Sequence, residues 1–500
     1  MIKIIGDNEL HCLPSYRPIS GFMFLTILLV LYFLTAIGLV MGLLVNGARP
    51  TKTLAWLLAI FTIPVGGILF YFVLGRNKRK NKFFELRKTP GISEYLHKVE
   101  DYYQKLDEAK MLPPHAREHI KLVKLLTKSS MFLPSAGNSL LPLKNGPSTY
   151  EAIFNALENA EKYIHIQYYI FEEGELADSF LELLGRKVKE GIKVRFLYDG
   201  FGSWELSRAF IQSLESSGIE VASFLPMRFG KFLSSLNYRN HRKIVVVDGK
   251  IGFTGGINIS DKYIKGDPDL GMWLDTHLLI KGPLVRSLEA VFAMDWCFAS
   301  GTEDVLSAEY FLEETPVGQS FAQVVASGPD SDFASIRQLY FSIVNSATQY
   351  VYIINPYIVP GEALLEALQV CALSGVDVRL LLSTKSDSRL VKWSVRSYFE
   401  DMLRAGVKIY LYPEGFLHSK VIISDDRLTS IGTANLDVRS FEQNYEINVL
   451  TYGETMACEL KKDFIRDCEI SSQIDYHTFK GRPMTERLKE GAAKIFSPLL

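Results

Sequence analysis

The sequence predicts an α/β protein built from two similar halves. Each half carries a mixed, largely parallel sheet, a pseudo-dyad relates them, and a two-helix transmembrane hairpin precedes them. Two long uncharged apolar runs stand near the start. Helical patterns then alternate with β-rich runs, and one short pattern of His, Lys, Asp and Asn occurs twice with identical spacing.

The hairpin comes first. Phe22–Val45 is 24 residues without a charge. As a helix it spans about 36 Å, enough to cross a hydrocarbon core of ~30 Å. Leu54–Leu74 is a second uncharged run, of 21 residues, with Pro64, Gly66 and Gly67 as points for a kink. Residues 46–53 leave room only for a tight connection, so 1–75 is expected to form a hairpin with spans at about 22–45 and 54–74. A cleaved signal peptide fits poorly, because its apolar stretch is shorter and no second full span follows it. Arg76, Lys78, Arg79, Lys80 and Lys82 come next, then Arg87 and Lys88, while the connection holds only Arg49 and Lys52. The positive-inside rule therefore predicts a multi-pass membrane protein with the rest of the chain on the cytoplasmic face. The same cluster suits anionic headgroups or simply fixes topology.

Residues 76–148 are basic and mixed, and are expected to connect the hairpin to the halves. The first half, 149–310, opens with a helical pattern at Tyr150–Ala160, an apolar strand at Tyr163–Phe171 and a helix at Leu176–Glu190. A strand then starts at Gly191-Ile-Lys-Val-Arg. The second half, 311–500, repeats this with Ala334–Thr348, Tyr350–Val359, Glu362–Ser374 and Gly375-Val-Asp-Val-Arg, 184 residues later. Two copies mean a duplicated domain, since a solenoid needs more and shorter repeats. The tail, Pro483–Leu500, mixes Met484, Leu488, Ile495 and Phe496 with Arg487, Lys489 and Lys494. It suits an interfacial amphipathic helix or an ordinary docked one.

Composition bounds the rest. Of 500 residues, 48% are aliphatic or aromatic, so a large core is possible. The net charge of −1 provides no global field toward nucleic acid, which is not an expected partner. Five scattered cysteines without a CxxC pair argue against a disulfide framework and a cysteine zinc site. They suit the reduced side of a membrane.

The chemistry lies in the repeated pattern. His241-Arg-Lys243-Ile-Val-Val-Val-Asp248 is followed by Gly255, Gly256 and Asn258; His418-Ser-Lys420-Val-Ile-Ile-Ser-Asp425 is followed by Gly432, Thr433 and Asn435. From His to Asn is 17 residues in both. On a strand, His and Lys at i and i+2 face the same way. The glycines suit a strand whose backbone approaches a ligand closely, and the two asparagines offer amide donors. A lone histidine is usually a satisfied core or surface residue, but two within matching motifs are not lone.

Such a set fits phosphodiester chemistry. One imidazole attacks phosphorus and the other protonates the leaving alkoxide. Two ammoniums and two amides neutralise the non-bridging oxygens. No acidic cluster has metal-ligand spacing nearby, so no metal or other cofactor is expected, and the lysines take the part of a divalent cation. Glu446, in Asn444-Tyr-Glu446-Ile-Asn448, and Asp275, in Trp273-Leu-Asp275-Thr-His277, occupy matching places. They are expected to orient the imidazoles, the alternative being strand-end carboxylates paired with a cation. Asp248 and Asp425 lie seven residues after each His, an odd offset that turns them away, so a structural, salt-bridging role is expected. Core hydrogen bonding is the expected role of His165 and His277.

These residues resemble the phospholipase D superfamily, whose signature is the duplicated HKD motif: His241, Lys243, Asp248 and His418, Lys420, Asp425. The hairpin, Arg49-Pro-Thr-Lys-Thr-Leu-Ala-Trp56, Gln167-Tyr-Tyr-Ile-Phe171, Asn240-His-Arg-Lys243, Asn355-Pro-Tyr357, Gly415-Phe-Leu-His418 and Gly432-Thr-Ala-Asn-Leu-Asp-Val-Arg-Ser440 are similar to the bacterial cardiolipin synthases within it. The resemblance implies two phospholipase D-like domains in a bacterial cell membrane, with phosphatidylglycerol and cardiolipin as lipid partners. A phosphatidyl group would pass from one phosphatidylglycerol to another through a phosphohistidine, releasing glycerol. It places the nucleophile at His241 and the acid/base at His418; the residues alone leave the roles interchangeable. The same site would serve hydrolysis, or phosphatidylserine synthesis with serine as acceptor. A nuclease fits the charge poorly. A non-catalytic lipid-binding scaffold would be expected to have lost a His or Lys.

Overall fold

A computed structural model describes residues 21–45, 50–63, 65–71, 90–106, 112–226, 238–311 and 315–497. The chain forms two compact units, 1–76 and 77–500.

In the first unit Gly21–Val45 is one continuous helix. Its segment Met23–Val45 is, among the described residues, the one helix long and apolar enough to cross a membrane. The run expected as a second span is broken. Pro50–Thr62 and Gly66–Phe70 are separate helices of 13 and 5 residues. Val65 between them has a left-handed φ of 65°. Gly67 lies where a Cβ would come within 2.1 Å of the Ala59 carbonyl oxygen. Only glycine lets the chain fold so tightly after the break. The Tyr32 hydroxyl donates to Ile60 O at 2.6 Å, satisfying a polar group on an apolar helix. Residues 46–49, Pro64 and the basic cluster from Arg76 to Lys88 lie outside the described residues.

The second unit is organised by its strands: β1 (Pro134–Lys144), β2 (Tyr163–Tyr168), β3 (Lys193–Asp199), β4 (Glu220–Phe224), β5 (Arg239–Asn240), β6 (Ile244–Val247), β7 (Ile251–Gly255), β8 (Trp273–Leu274), β9 (Thr276–Lys281) and β10 (Ser320–Ser327). They continue with β11 (Tyr350–Ile354), β12 (Ile358–Val359), β13 (Asp377–Ser383), β14 (Lys408–Tyr412), β15 (Phe416–Leu417), β16 (Val421–Ser424), β17 (Leu428–Gly432), β18 (Leu436–Asp437), β19 (Asn444–Tyr452) and β20 (Ser472–Gln473). One large sheet runs β20-β14-β13-β11-β16-β17-β19-β10-β1-β9-β7-β6-β2-β3-β4. Outward from the β10–β1 pair at its centre, each side gives one antiparallel strand (β19 or β9), two antiparallel hairpin strands and then three strands in parallel, with β20 added at one edge.

The expectation of largely parallel sheets fails. Parallel pairing is confined mainly to the flanks, and the middle is antiparallel. The cause is local. Asp248 and Gly249 both have positive φ, as do Asp425 and Asp426. Tight turns of that kind return the chain antiparallel instead of through a helix. Residues 120–144, expected within a connecting region, supply the buried helix Ile120–Ser130 and the central strand β1. Gly137, Asn138 and Pro142 hide the alternation that would have announced that strand.

Helices cover the sheet on both faces and bury apolar clusters around Val285–Ser300, Ser335–Ser346 and Glu175–Lys189. The terminal helix Met484–Phe496 is docked through buried Glu490, which accepts from Arg396 at 2.9 Å and Arg482 at 2.7 Å.

Candidate functional site

Two short parallel pairings build the site. β5 runs beside the start of β19, matching Arg239 with Asn444 and Asn240 with Tyr445. The next residues in register are His241 and Glu446, and the His241 N–H donates to Tyr445 O at 2.9 Å. β15 runs beside β8 in the same way, matching Phe416 with Trp273 and Leu417 with Leu274. The next residues there are His418 and Asp275, and the His418 N–H donates to Leu274 O at 2.7 Å.

Each histidine therefore meets the carboxylate of the opposite half. His241 Nδ1 lies 2.9 Å from Glu446 Oε2, and His418 Nδ1 lies 2.8 Å from Asp275 Oδ2. A carboxylate accepts only, so the proton resides on Nδ1 and Nε2 presents its lone pair. The lysines stand on the same side. Lys243 Nζ donates to His241 O at 2.7 Å, and Lys420 Nζ donates to His418 O. All six side chains are buried.

Burial sets the charge states. It pushes the Lys243 ammonium down to about 7 and that of Lys420 down to about 8. It raises the Glu446 carboxyl to about 7. Burial, then Lys420, lowers His418 to about 4. Burial, then Lys243 and Lys420, holds His241 well below the usual imidazole range. Both imidazoles are therefore neutral in the protein alone, and each feels the ammoniums of both halves.

The two halves are alike but not equal. Glu446 also accepts from Thr433 Oγ1 at 2.5 Å and Asn444 Nδ2 at 3.1 Å. Asp275 accepts from the Thr276 N–H at 2.7 Å, and His418 Nδ1 has a second neighbour in the Tyr263 hydroxyl at 3.1 Å. Thr433 corresponds to Gly256 in the other half. A Cβ on Gly256 would lie 2.1 Å from Asp275 Oδ1.

That contact corrects the expected role of the glycines. Gly255 lies against His277 Cα and Gly432 against the Ile447 carbonyl, so they admit the strands that bear the acids, not a ligand. The asparagines are buried. Asn258 Oδ1 accepts the Ile170 N–H at 3.2 Å, tying down the chain after β2.

Asp248 and Asp425 lie apart from this cluster. Asp248 accepts the main-chain N–H groups of Glu161, Lys162 and Tyr163 at 2.8, 2.7 and 2.9 Å. Asp425 accepts those of Thr348, Gln349 and Tyr350 at 2.7, 2.9 and 2.8 Å. Neither forms a salt bridge among the described residues. The amides at the mouths of β2 and β11 are the nearer donors, and they replace the expected cations. His165 is buried in the core, between Glu289 at 2.8 Å and Arg195 at 3.0 Å. His277 differs from expectation: both its ring nitrogens lack a hydrogen bond among the described residues, and burial lowers it to about 3.

Aromatic rings wall the site, and they were given no role from sequence. Tyr169 meets the His241 ring edge-on at 4.8 Å and Lys243 lies 5.2 Å above it; Trp273 lies 5.2 Å from the His418 ring. The only advance signal was that Tyr169 and Trp273 stand beside the quoted motifs.

Comparison with known proteins bears on the family and the fold. The family model described as "Cardiolipin synthase, PLD-like domain" matches residues 153–296 and 340–468. A second, "Phospholipase D-nuclease N-terminal", matches 30–76. The cardiolipin synthase of Geobacillus kaustophilus is 41% identical over 468 residues, 93% of this chain and 91% of that protein. That of Alkalihalophilus pseudofirmus is 40% identical, covering 94% and 93%. The crystal structure of phosphatidylserine synthase from Haemophilus influenzae is similar in fold, with a TM-score of 0.59 at 13% identity. It covers 76% of this chain and all of that one.

Proposed function

The chain belongs to the bacterial cardiolipin synthases of the phospholipase D superfamily, and from that premise we propose that it moves a phosphatidyl group between two phosphatidylglycerols, giving cardiolipin and glycerol. The crossed pairs His241–Glu446 and His418–Asp275, flanked by two buried lysines, carry this reading.

The first phosphatidylglycerol brings its phosphodiester anion between Lys243 and Lys420, whose ammoniums balance the non-bridging oxygens. That negative charge also raises the proton affinity of the imidazoles. His418, which takes a proton from solvent onto Nε2 as the phosphodiester anion binds, gives it to the departing glycerol oxygen while His241 Nε2 attacks phosphorus. The products of this step are free glycerol and a phosphatidyl–His241 bond. Glu446 compensates the positive charge on the modified imidazole. The headgroup hydroxyl of the second phosphatidylglycerol then attacks phosphorus. His418 takes its proton, and the P–Nε2 bond breaks to release cardiolipin. The choice of His241 as nucleophile follows the family resemblance, since burial holds both imidazoles neutral.

The halves 149–310 and 311–500 act as a pseudo-dyad pair. The double family match and the mirrored strand order support that reading. The apolar helix Met23–Val45 and the family support membrane association. A second span and a cytoplasmic catalytic face rest on the apolar run to Leu74 and the basic residues after it.

The test is product analysis by mass spectrometry, with purified full-length protein and phosphatidylglycerol vesicles. Cardiolipin and glycerol are expected in equal amounts. His241→Ala and His418→Ala should each abolish turnover without changing membrane insertion. Phosphatidic acid as the sole product would make the chain a hydrolase, and unchanged turnover in either variant would remove the catalytic assignment.

A further inference from the structure

Strand alternation turns the neighbours of the catalytic pair to the opposite side of the sheet. Arg242 follows His241 and Tyr445 precedes Glu446, and both form the floor of a cavity of about 320 Å³ behind the site, a volume in the range of small-molecule sites. The walls are mainly apolar: Leu96, Phe132, Met294, Leu306 and Phe311. Part of the roof comes from the helix Pro90–Lys105.

The polar groups are few, and most are already matched. Arg242 binds both carboxylate oxygens of Asp295 at 2.7 and 2.8 Å and donates to Glu446 O at 3.3 Å. Asp330 accepts from the Tyr445 hydroxyl at 2.9 Å and feels the Arg242 charge. At the rim Lys98 pairs with Glu94 at 2.9 Å. Two groups are left over. Arg286 lines the cavity half-buried, with no hydrogen bond or close ion pair among the described residues, and the acid its charge reaches, Glu94, is already paired with Lys98. Ser129 Oγ, in a residue only 9% exposed, also lines it without a partner. A guanidinium with its hydrogen bonds unmade beside an apolar chamber matches an anionic head joined to an alkyl chain.

We propose that this cavity binds a single-chain anionic amphiphile, a fatty-acid carboxylate, with its head on Arg286 and its chain between Phe132, Met294 and Phe311. The site is separate from the phosphodiester centre, though Arg242 and Tyr445 join them through the main chain.

The experiment uses the full chain in phospholipid nanodiscs with a photoactivatable palmitate, and maps adducts by peptide mass spectrometry. Adducts are expected on peptides holding Phe132, Met294 or Phe311, competed by palmitate and not by hexadecanol. Arg286→Gln should lower that labelling at least tenfold. Ala290→Phe, which fills the cavity and leaves Arg286 in place, should do the same, while phosphatidylglycerol turnover of both variants stays near wild type. Adducts confined to the N-terminal helix would overturn the proposal, as would cavity adducts indifferent to Arg286→Gln or equally competed by hexadecanol. Should Ala290→Phe fail to fold, Arg286→Gln decides alone. Labelling needs no turnover, so this result is independent of the transferase assignment.

Discussion

Replacing Glu446 by Gln removes one charge from the site and little else. Glu446 is fully buried and accepts from His241, Thr433 and Asn444. With the amide oxygen in the Oε2 position, the bonds from His241 Nδ1 and Thr433 persist and the tautomer is kept. The new NH2 then faces Asn444. The Asn444 Oδ1 has no partner among the described residues, so a flip of that amide lets it accept. What is lost is compensation for the positive imidazole. A hydrogen bond to a charged group is worth about 1.5–3 kcal/mol, and the loss of a triad acid in a serine protease costs about 10⁴ in kcat. The larger first figure, about 3 kcal/mol, corresponds to roughly 150-fold in kcat. Glu446 touches the imidazole and not the substrate, so KM should move less than about threefold. Initial rates of cardiolipin formation from phosphatidylglycerol vesicles measure both constants. A wild-type kcat in Glu446→Gln, or a loss seen only in KM, would refute the role given to the crossed pairs.

The pH dependence of kcat/KM should be a narrow bell. Glu446, raised to about 7, loses its charge as the pH falls through that value; Lys243 and Lys420, lowered to about 7 and 8, lose theirs as the pH rises. A flat profile from pH 5 to 10 would contradict this. Lys243→Met should cut turnover at least a hundredfold without lowering the melting temperature, because removing a buried charge relieves its desolvation; a large drop in thermal stability would show a structural lysine instead. Asp248→Ala should do the reverse. Three main-chain N–H groups lose their acceptor, at about 1–3 kcal/mol for each left unsatisfied. The folded fraction should keep its specific activity within about threefold, and an inactive variant of normal melting temperature would put Asp248 back in the chemistry.

The motifs were legible because their chemistry is local. His and Lys two apart share a face on any strand, and the equal spacing to Asn258 and Asn435 marks a repeat. Asp275 and Glu446 could be named as orienting acids from their matching places. Which acid serves which histidine could not be read, because the crossing depends on two-residue pairings, β5 with β19 and β8 with β15, between segments far apart in sequence. Gly255, Gly256 and Gly432 suggested close approach, and only packing shows that a neighbouring strand makes it. The positive φ of Asp248 and Asp425 explains the antiparallel middle. A carboxylate that accepts from backbone amides looks in sequence like one waiting for a cation. Thr433 and Tyr263 differ between the halves, and a search for matches passes over differences.

The most direct test is to catch the phosphatidyl group on the chain. His418→Ala should still react with the phosphatidyl ester of p-nitrophenol, whose leaving group needs no proton, and should then stall for want of a base. Peptide mass spectrometry of the rapidly quenched protein should find the phosphatidyl mass on His241, and none in His241→Ala. Turnover without an adduct, or an adduct on any other residue, would contradict transfer through His241.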